Sequence, residues 1–184
     1  MKKIVVFVLG PDKPGIIAAV SQTLFEQRCN LEDVSQTILQ TEFVAIFIAS
    51  MSDMGNEAAV LGALRARIEP MGLFVHLRPM SSETIAMQQI PSEPLVITTI
   101  GPDKPGLMAG VTEVLAGFGV NITNLKAVFR GGREHKNYVM IYEVDVPSSV
   151  DHHAFRNALH DRAEDLGLDI SLQHREIFEQ LHRV

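Results

Sequence analysis

Two identical hexapeptides hold the residue types in this chain that could recognise a ligand. Residues 10–15 and 101–106 both read Gly-Pro-Asp-Lys-Pro-Gly. Each follows a short apolar run and precedes a helical pattern, so we predict a turn from a strand to a helix. The first N–H groups of a helix favour an anion, and glycine lets a ligand come close to the backbone. The repeat therefore predicts two anion-binding turns.

Carboxylate and amide side chains accompany both turns. Asp12 and Asp103 stand beside the backbone donors, where a carboxylate could accept hydrogen bonds from an ammonium group. Asn30 and Asn121 begin the second strand of each copy, which we expect to lie beside the same turn. Such a set would recognise a zwitterion, and a free α-amino acid fits it. The predicted ligand-binding residues are Asp12, Gly15, Asn30, Asp103, Gly106 and Asn121.

A structural role is the alternative for the same side chains. Asp12 and Asp103 could merely cap the following helix, and the two asparagines could merely shape a turn. A phosphate-binding P-loop is excluded, because Ile16 and Ile17 stand where that motif requires Lys and Ser or Thr. An RNA-recognition domain has the same order of strands and helices, but it needs exposed aromatic residues and a basic surface, and the central strands supply neither.

Catalysis and metal binding have little support in the sequence. His152, His153 and His160 lie near Asp151, but a solvated helix surface explains them better than a metal site, because no cysteine or second ligand set converges there. No histidine is placed as the base for a nucleophilic serine or threonine. We therefore expect no enzyme activity, no metal ion and no cofactor.

The elements that must position the turns occur in the same order twice. Hydrophobic periodicity predicts strand, helix, strand, strand, helix and strand in each copy, with the first helix beginning at Pro14 and at Pro105. The predicted strands are 3–9, 31–39, 43–50, 74–77, 95–100, 121–129, 138–146 and 169–175, and the second helices are 57–71 and 151–166. This order predicts an α+β fold of two ferredoxin-like βαββαβ domains, each a four-stranded antiparallel sheet with both helices on one face.

The internal repeat also sets the predicted domain boundaries within the 184 residues. We predict a first domain over 1–79, a linker over 80–94, a second domain over 95–176 and a tail over 177–184 that could add a short helix. The hairpin of the second copy is longer, because residues 130–137 replace a tight turn.

Composition limits the partners. The net charge of -6 argues against direct contact with nucleic acid, which requires clustered Lys and Arg. No apolar run is long enough to span a membrane. Cys29 is the only cysteine and is expected to be an apolar packing residue, which is consistent with a reducing cytoplasm.

The sequence resembles the ACT domain family, small ferredoxin-like modules that bind amino acids and regulate metabolic enzymes or transcription. The resemblance lies in Asp-Lys-Pro-Gly, the helix after it and Asn-Leu or Asn-Ile fifteen residues past the glycine, and it covers nearly all of both halves. It implies the same six ligand positions. In several members a polar residue that helps to hold the ligand stands where Gly10 and Gly101 stand here. ACT domains pair side by side through sheet edges and helices, with the ligand at that interface.

Two such domains in one chain, with Asn30-Leu-Glu-Asp33 opening the second strand, resemble the glycine cleavage system transcriptional repressor group. This resemblance implies action through a DNA-binding activator rather than on DNA. We therefore expect a non-enzymatic, cytoplasmic regulatory protein, a homodimer, that binds a small amino acid and signals to a protein partner. The alternatives are a ligand-free interaction module and the regulatory subunit of a separately encoded metabolic enzyme.

Overall fold

The computed structural model describes residues 1–80, 91–130 and 137–182. The chain divides into two compact units, residues 1–88 and 89–184, and each contains one hexapeptide. The predicted linker falls mainly on 81–90 and the longer hairpin loop on 131–136, and both segments lie outside the described residues.

The first unit is a four-stranded sheet with helices on one face. Its elements are β1 (Lys2–Pro11), α1 (Ile16–Glu26), β2 (Asn30–Leu39), β3 (Glu42–Met51), α2 (Glu57–Ile68), a 3₁₀ turn (Glu69–Met71) and β4 (Phe74–Pro79). All pairings are antiparallel, and the strand order is β2-β3-β1-β4. This order places β1, which leads into the hexapeptide, in the interior of the sheet.

Alternation along β1 explains where the core lies. Ile4, Val6 and Val8 point to the helices and are fully buried, as expected for one face of a strand with a period of two. The apolar stripe of α1, which includes Val20 and Leu24, packs over them. Each such side chain contributes about 1.5–3 kcal/mol on burial. The core therefore fixes the position of α1, and with it the turn that precedes the helix.

The second unit repeats this architecture. Its elements are β5 (Ser92–Pro102), α3 (Leu107–Gly117), β6 (Asn121–Arg130), β7 (Asn137–Pro147), α4 (His152–Leu166), β8 (Asp169–His174) and α5 (Arg175–His182), with the strand order β6-β7-β5-β8. Helix α5 follows β8 directly and contacts β8 and β5. The predicted fold class is confirmed. Among the described residues, no helix is long and apolar enough to cross a membrane.

Four predicted boundaries are wrong. Helices α1 and α3 begin at Ile16 and Leu107 rather than at the prolines, because the glycines before them have positive φ angles of 94° and 90°. Helix α2 ends at Ile68, since Pro70 has no N–H to donate to the helix and a 3₁₀ turn replaces the last predicted turn. Strand β5 begins at Ser92, within the segment that the sequence assigns to the linker.

Candidate ligand-binding turns

The first glycine of each hexapeptide packs against the segment that follows the second helix. A Cβ atom on Gly10 would lie 3.0 Å from the carbonyl oxygen of Gly72. A Cβ atom on Gly101 would lie 2.9 Å from the carbonyl oxygen of Gly167. Both distances are shorter than van der Waals contact, so the close approach requires glycine. A polar side chain of the kind that several ACT domains carry has no room at this position.

The lysine of the first hexapeptide holds the turn to the same segment. Lys13 Nζ donates a hydrogen bond of 2.7 Å to the carbonyl of Met71, at the end of the 3₁₀ turn. Carbonyls at a helix end have no partner within the helix, so a cation there is favourable. The N–H of Asp12 donates to the carbonyl of Thr41 at 2.8 Å, which joins the turn to the β2–β3 hairpin. Sequence reasoning missed the role of Lys13, although its repetition as Lys104 was a signal.

The last glycine of each hexapeptide leaves an open helix N-terminus. Gly15 and Gly106 have left-handed backbone angles, and a Cβ atom on either would meet nothing within 4 Å. The first helical bonds run from Ala19 N–H to Gly15 and from Gly110 N–H to Gly106, both at 2.9 Å. The N–H groups before Ala19 and Gly110 therefore have no acceptor within their helices. The arrangement is suited to an approaching anion.

The aspartates do not cap the helices. Neither α1 nor α3 has a side-chain capping bond, so the structural alternative for Asp12 and Asp103 is wrong in that form. Both residues are exposed. Within residues 1–80, 91–130 and 137–182, neither carboxylate forms a hydrogen bond or an ion pair. Each carboxylate is therefore available to an ammonium group.

The asparagines lie at the opposite end of the sheet from the turns. Asn30 is paired with Ser50, whereas Pro11 is paired with Glu42 at the other end of β3. At ~3.3 Å per residue, this separation is roughly 26 Å along the strand. The expectation that Asn30 lies beside the turn of its own domain is wrong. Because α1 carries the chain back along the sheet, β2 begins at the end where β1 begins.

Asn121 has a polar neighbourhood that the sequence did not indicate. It is paired with Asp145 across β6 and β7. Asp145 accepts a hydrogen bond of 3.0 Å from Nη2 of Arg175, which also donates to the Thr123 hydroxyl at 3.1 Å. Arg175 is thirty residues away from Asp145 in sequence, so no local pattern could reveal this cluster.

An open depression of about 620 Å³ lies beside Asn121 in the second unit. Its lining comes from α3 and the beginning of β6, namely Ala109, Thr112, Glu113, Leu115, Ala116, Val120, Asn121 and Ile122. Glu113 forms an ion pair of 3.0 Å with Arg162. Apart from Thr112 and Asn121, the other lining residues are apolar. In the first unit Phe25, which is 75% exposed, stands at the position of Ala116. The two repeats therefore differ here, although their turns are alike.

Asp151, His152 and His153, at the beginning of α4, have structural partners. Asp151 caps this helix by accepting hydrogen bonds from the N–H groups of Ala154 and His153, which hold the pKa of its carboxyl below the usual range. His152 Nδ1 lies 3.6 Å from a carboxylate oxygen of Glu93. In the part of the chain that the structure describes, no three His, Cys, Asp or Glu side chains are grouped as a metal site requires.

Comparisons with known proteins agree with the geometry of the two units. The model of the ACT domain family matches residues 2–78 and 93–173. The UPF0237 proteins of Methanosarcina acetivorans and Methanococcus maripaludis are 31% and 36% identical to the chain over 94 and 93 residues. Each alignment covers 50% of this chain and 98% or 99% of the relative. These relatives therefore have about the length of one unit.

Two solved structures match both units together. An unknown protein from Galdieria sulphuraria gives a TM-score of 0.78 with 25% identity, covering 94% of this chain and 98% of that one. A candidate glycine cleavage system transcriptional repressor gives a TM-score of 0.71 with 19% identity, covering 94% and 96%. The second similarity establishes the fold alone.

Proposed function

The chain belongs to the ACT domain family, and from this premise we propose that it is a regulatory protein that binds a small free amino acid at its repeated turns. One observation carries the proposal. In both units an exposed aspartate without a partner among the described residues stands three residues before a left-handed glycine and an open helix N-terminus. The two hexapeptides thus present a donor group and an acceptor group side by side.

The chemistry of the turn selects an α-amino acid. The ligand carboxylate accepts hydrogen bonds from the first free N–H groups of α1 or α3, where the helix dipole also favours negative charge. The ligand ammonium donates to Asp12 or Asp103. A carboxylic acid without an ammonium group lacks the second contact, and it binds more weakly.

Because Asn30 lies at the far end of the sheet from the turn of its own domain, it joins such a site only from another domain, and a second copy of the chain offers one. Strand β2 lies at the edge of its sheet, and all of its residues are exposed. Antiparallel pairing of β2 with β2 of a second copy sets Asn30 beside the far end of the partner strand, the end near which Asp12 lies. This arrangement supports a homodimer with the ligand at its interface, as the resemblance implies.

The signal is proposed to pass to a protein partner. The fold similarity to a candidate transcriptional repressor is the reason for proposing repression, and the net charge of -6 favours a DNA-binding protein over DNA itself as the partner. The proposed place of action is the cytoplasm. A second candidate function is a ligand-free interaction module. It is favoured by the packing of Gly10 and Gly101, which leaves no place for the polar side chain that holds the ligand in several ACT domains.

Thermal melting against the standard amino acids tests the proposal. A ligand present at a hundredfold excess over its dissociation constant stabilises the folded state by about 2.7 kcal/mol. We expect one or two small amino acids to raise the melting midpoint. The double variant Asp12→Asn and Asp103→Asn should melt normally without ligand and lose the shift, since neither carboxylate has a partner among the described residues. A flat response to the whole panel would favour the ligand-free module.

A further inference from the structure

The sheet of the first unit has an apolar surface on the side away from the helices. Strand register arranges its outward side chains in three rows of four, which we call the outer face. Written from β4 through β1 and β3 to β2, the rows are Arg78-Val5-Ile48-Asp33, His76-Phe7-Ile46-Ser35 and Phe74-Leu9-Val44-Thr37. The six positions on the two central strands are all apolar.

Several of these side chains remain open to solvent. Phe74 is 71% exposed, Leu9 47%, Val44 43% and Ile46 40%. Contiguous apolar surface of this kind marks an interaction site, whereas single exposed apolar residues do not. The aromatic residues that dominate interface energies are present at two positions of the outer face.

The second unit shows that the fold does not require this surface. Its equivalent rows are Gln173-Val96-Glu143-Asn124, Ser171-Thr98-Ile141-Lys126 and Asp169-Ile100-Val139-Val128. Thr98, Glu143 and Asp169 stand where the first unit has Phe7, Ile48 and Phe74. The same architecture therefore forms with polar residues at these positions, which points to a partner for the first unit's outer face.

The charges of the outer face are complementary to those of a second copy of the same face. Arg78 and Asp33 occupy opposite ends of one row. Consider two copies whose outer faces are stacked on each other about a two-fold axis parallel to the strands. This axis reverses the order of residues in each row, so Arg78 lies opposite the Asp33 of the second copy and Phe74 lies opposite its Thr37. In the described part of the chain neither Arg78 nor Asp33 forms an ion pair. Arg78 lies over the ring of Phe7 at 5.8 Å and presents its charge outward.

We propose that the outer face of the first unit binds the outer face of a second copy, with the strands aligned and the rows antiparallel. The three rows are about 19 Å wide, from four strands spaced ~4.8 Å apart, and about 17 Å long from Val5 to Leu9. Their flat area is roughly 320 Å² per partner, less than the roughly 800 Å² of a standard stable interface, so the proposed contact belongs to the weak, concentration-dependent class. The apolar centre and charged ends match the composition of protein interfaces. This contact is separate from the edge pairing of β2.

Sedimentation of the full chain tests the contact. Loading concentrations from about 1 to about 100 µM span the dissociation constants of weak interfaces. The double variant Phe7→Thr and Phe74→Asp carries the residues that the second unit has at these positions, so its fold should survive. We expect it to halve the wild-type mass at high concentration. The matched control Ser171→Asp, on the equivalent face of the second unit, should leave the mass unchanged.

A charge exchange tests the register. Asp33→Arg alone sets two arginines opposite each other and should weaken the association at least tenfold. Adding Arg78→Asp restores opposite charges and should recover most of the loss. A wild-type chain that is monomeric throughout the concentration range would overturn the proposal, as would an unchanged mass for the Phe7→Thr and Phe74→Asp variant. A failure of the exchange to restore association would refute the parallel two-fold axis.

Discussion

Replacing Gly10 by alanine tests the packing that fixes the first turn. The new Cβ atom would lie 3.0 Å from both the Gly72 carbonyl oxygen and Leu73 Cδ2, at a φ angle of +143°. Strained φ angles cost of order 1–3 kcal/mol and overpacking costs about as much. The Gly72 oxygen belongs to the backbone and cannot rotate away as a side chain does. We therefore expect a loss of at least about 2 kcal/mol in the free energy of unfolding.

Differential scanning calorimetry measures this loss, with Gly62→Ala as the matched control. For a domain of this size each kcal/mol lowers the melting midpoint by roughly 4–8 °C, so Gly10→Ala should lower it by more than about 8 °C. Gly62 lies within α2, where a Cβ atom meets nothing within 4 Å, and its replacement should stabilise the helix by about 0.5–1 kcal/mol. If Gly10→Ala melts at or above the wild-type temperature, the packing argument is refuted.

Three other predictions concern stability. Asn56 caps α2 by accepting from Ala58 N–H at 3.0 Å, so Asn56→Ala should cost about 1 kcal/mol in urea unfolding, and an unchanged midpoint would contradict this role. The pKa of Asp151 lies below its ordinary 3.8 in the folded state. The charged carboxylate therefore stabilises the fold fully above pH 3.8, and this contribution is lost as the pH falls through the lower pKa of the folded state. The midpoint difference between the wild type and Asp151→Asn should therefore shrink in acid; a constant difference would contradict it. Burial raises the pKa of Tyr142 from 10.0 to about 12. As the pH rises, the Tyr142 hydroxyl therefore loses its proton in the unfolded chain before it does so in the folded one, and the free energy of unfolding falls between pH 10 and about pH 12. Tyr142→Phe should remove that alkaline loss, and an unchanged pH profile of melting would count against the assignment.

Periodicity predicted the fold because both helices and strands bury one face. The short apolar run from Ile4 to Leu9 identified β1, and the spacing of Ile16, Val20 and Leu24 identified α1. The exact duplication of the hexapeptide then made the two-domain organisation clear. Local patterns sufficed because each element reveals its buried face within one or two turns.

The positions of the site residues needed three-dimensional information. Asn30 follows the turn closely in sequence, but the direction of β2 places it at the other end of the sheet. Lys13 has its partner in Met71 and Arg175 has its partner in Asp145, contacts that depend on packing between distant segments. The left-handed conformation of Gly15 also shortened the predicted helix, because glycine permits this conformation without requiring it.

The most direct test of amino acid binding at the turns is a nuclear magnetic resonance titration of the isotope-labelled chain. Each standard amino acid would be added in turn while the backbone N–H signals are followed, with acetate as a control that lacks the ammonium group. We predict that a small amino acid shifts the signals of residues 15–18 or 106–109 most strongly and that acetate shifts them less. Largest shifts elsewhere, such as in the depression beside Asn121, or no shift with any amino acid, would contradict the proposal.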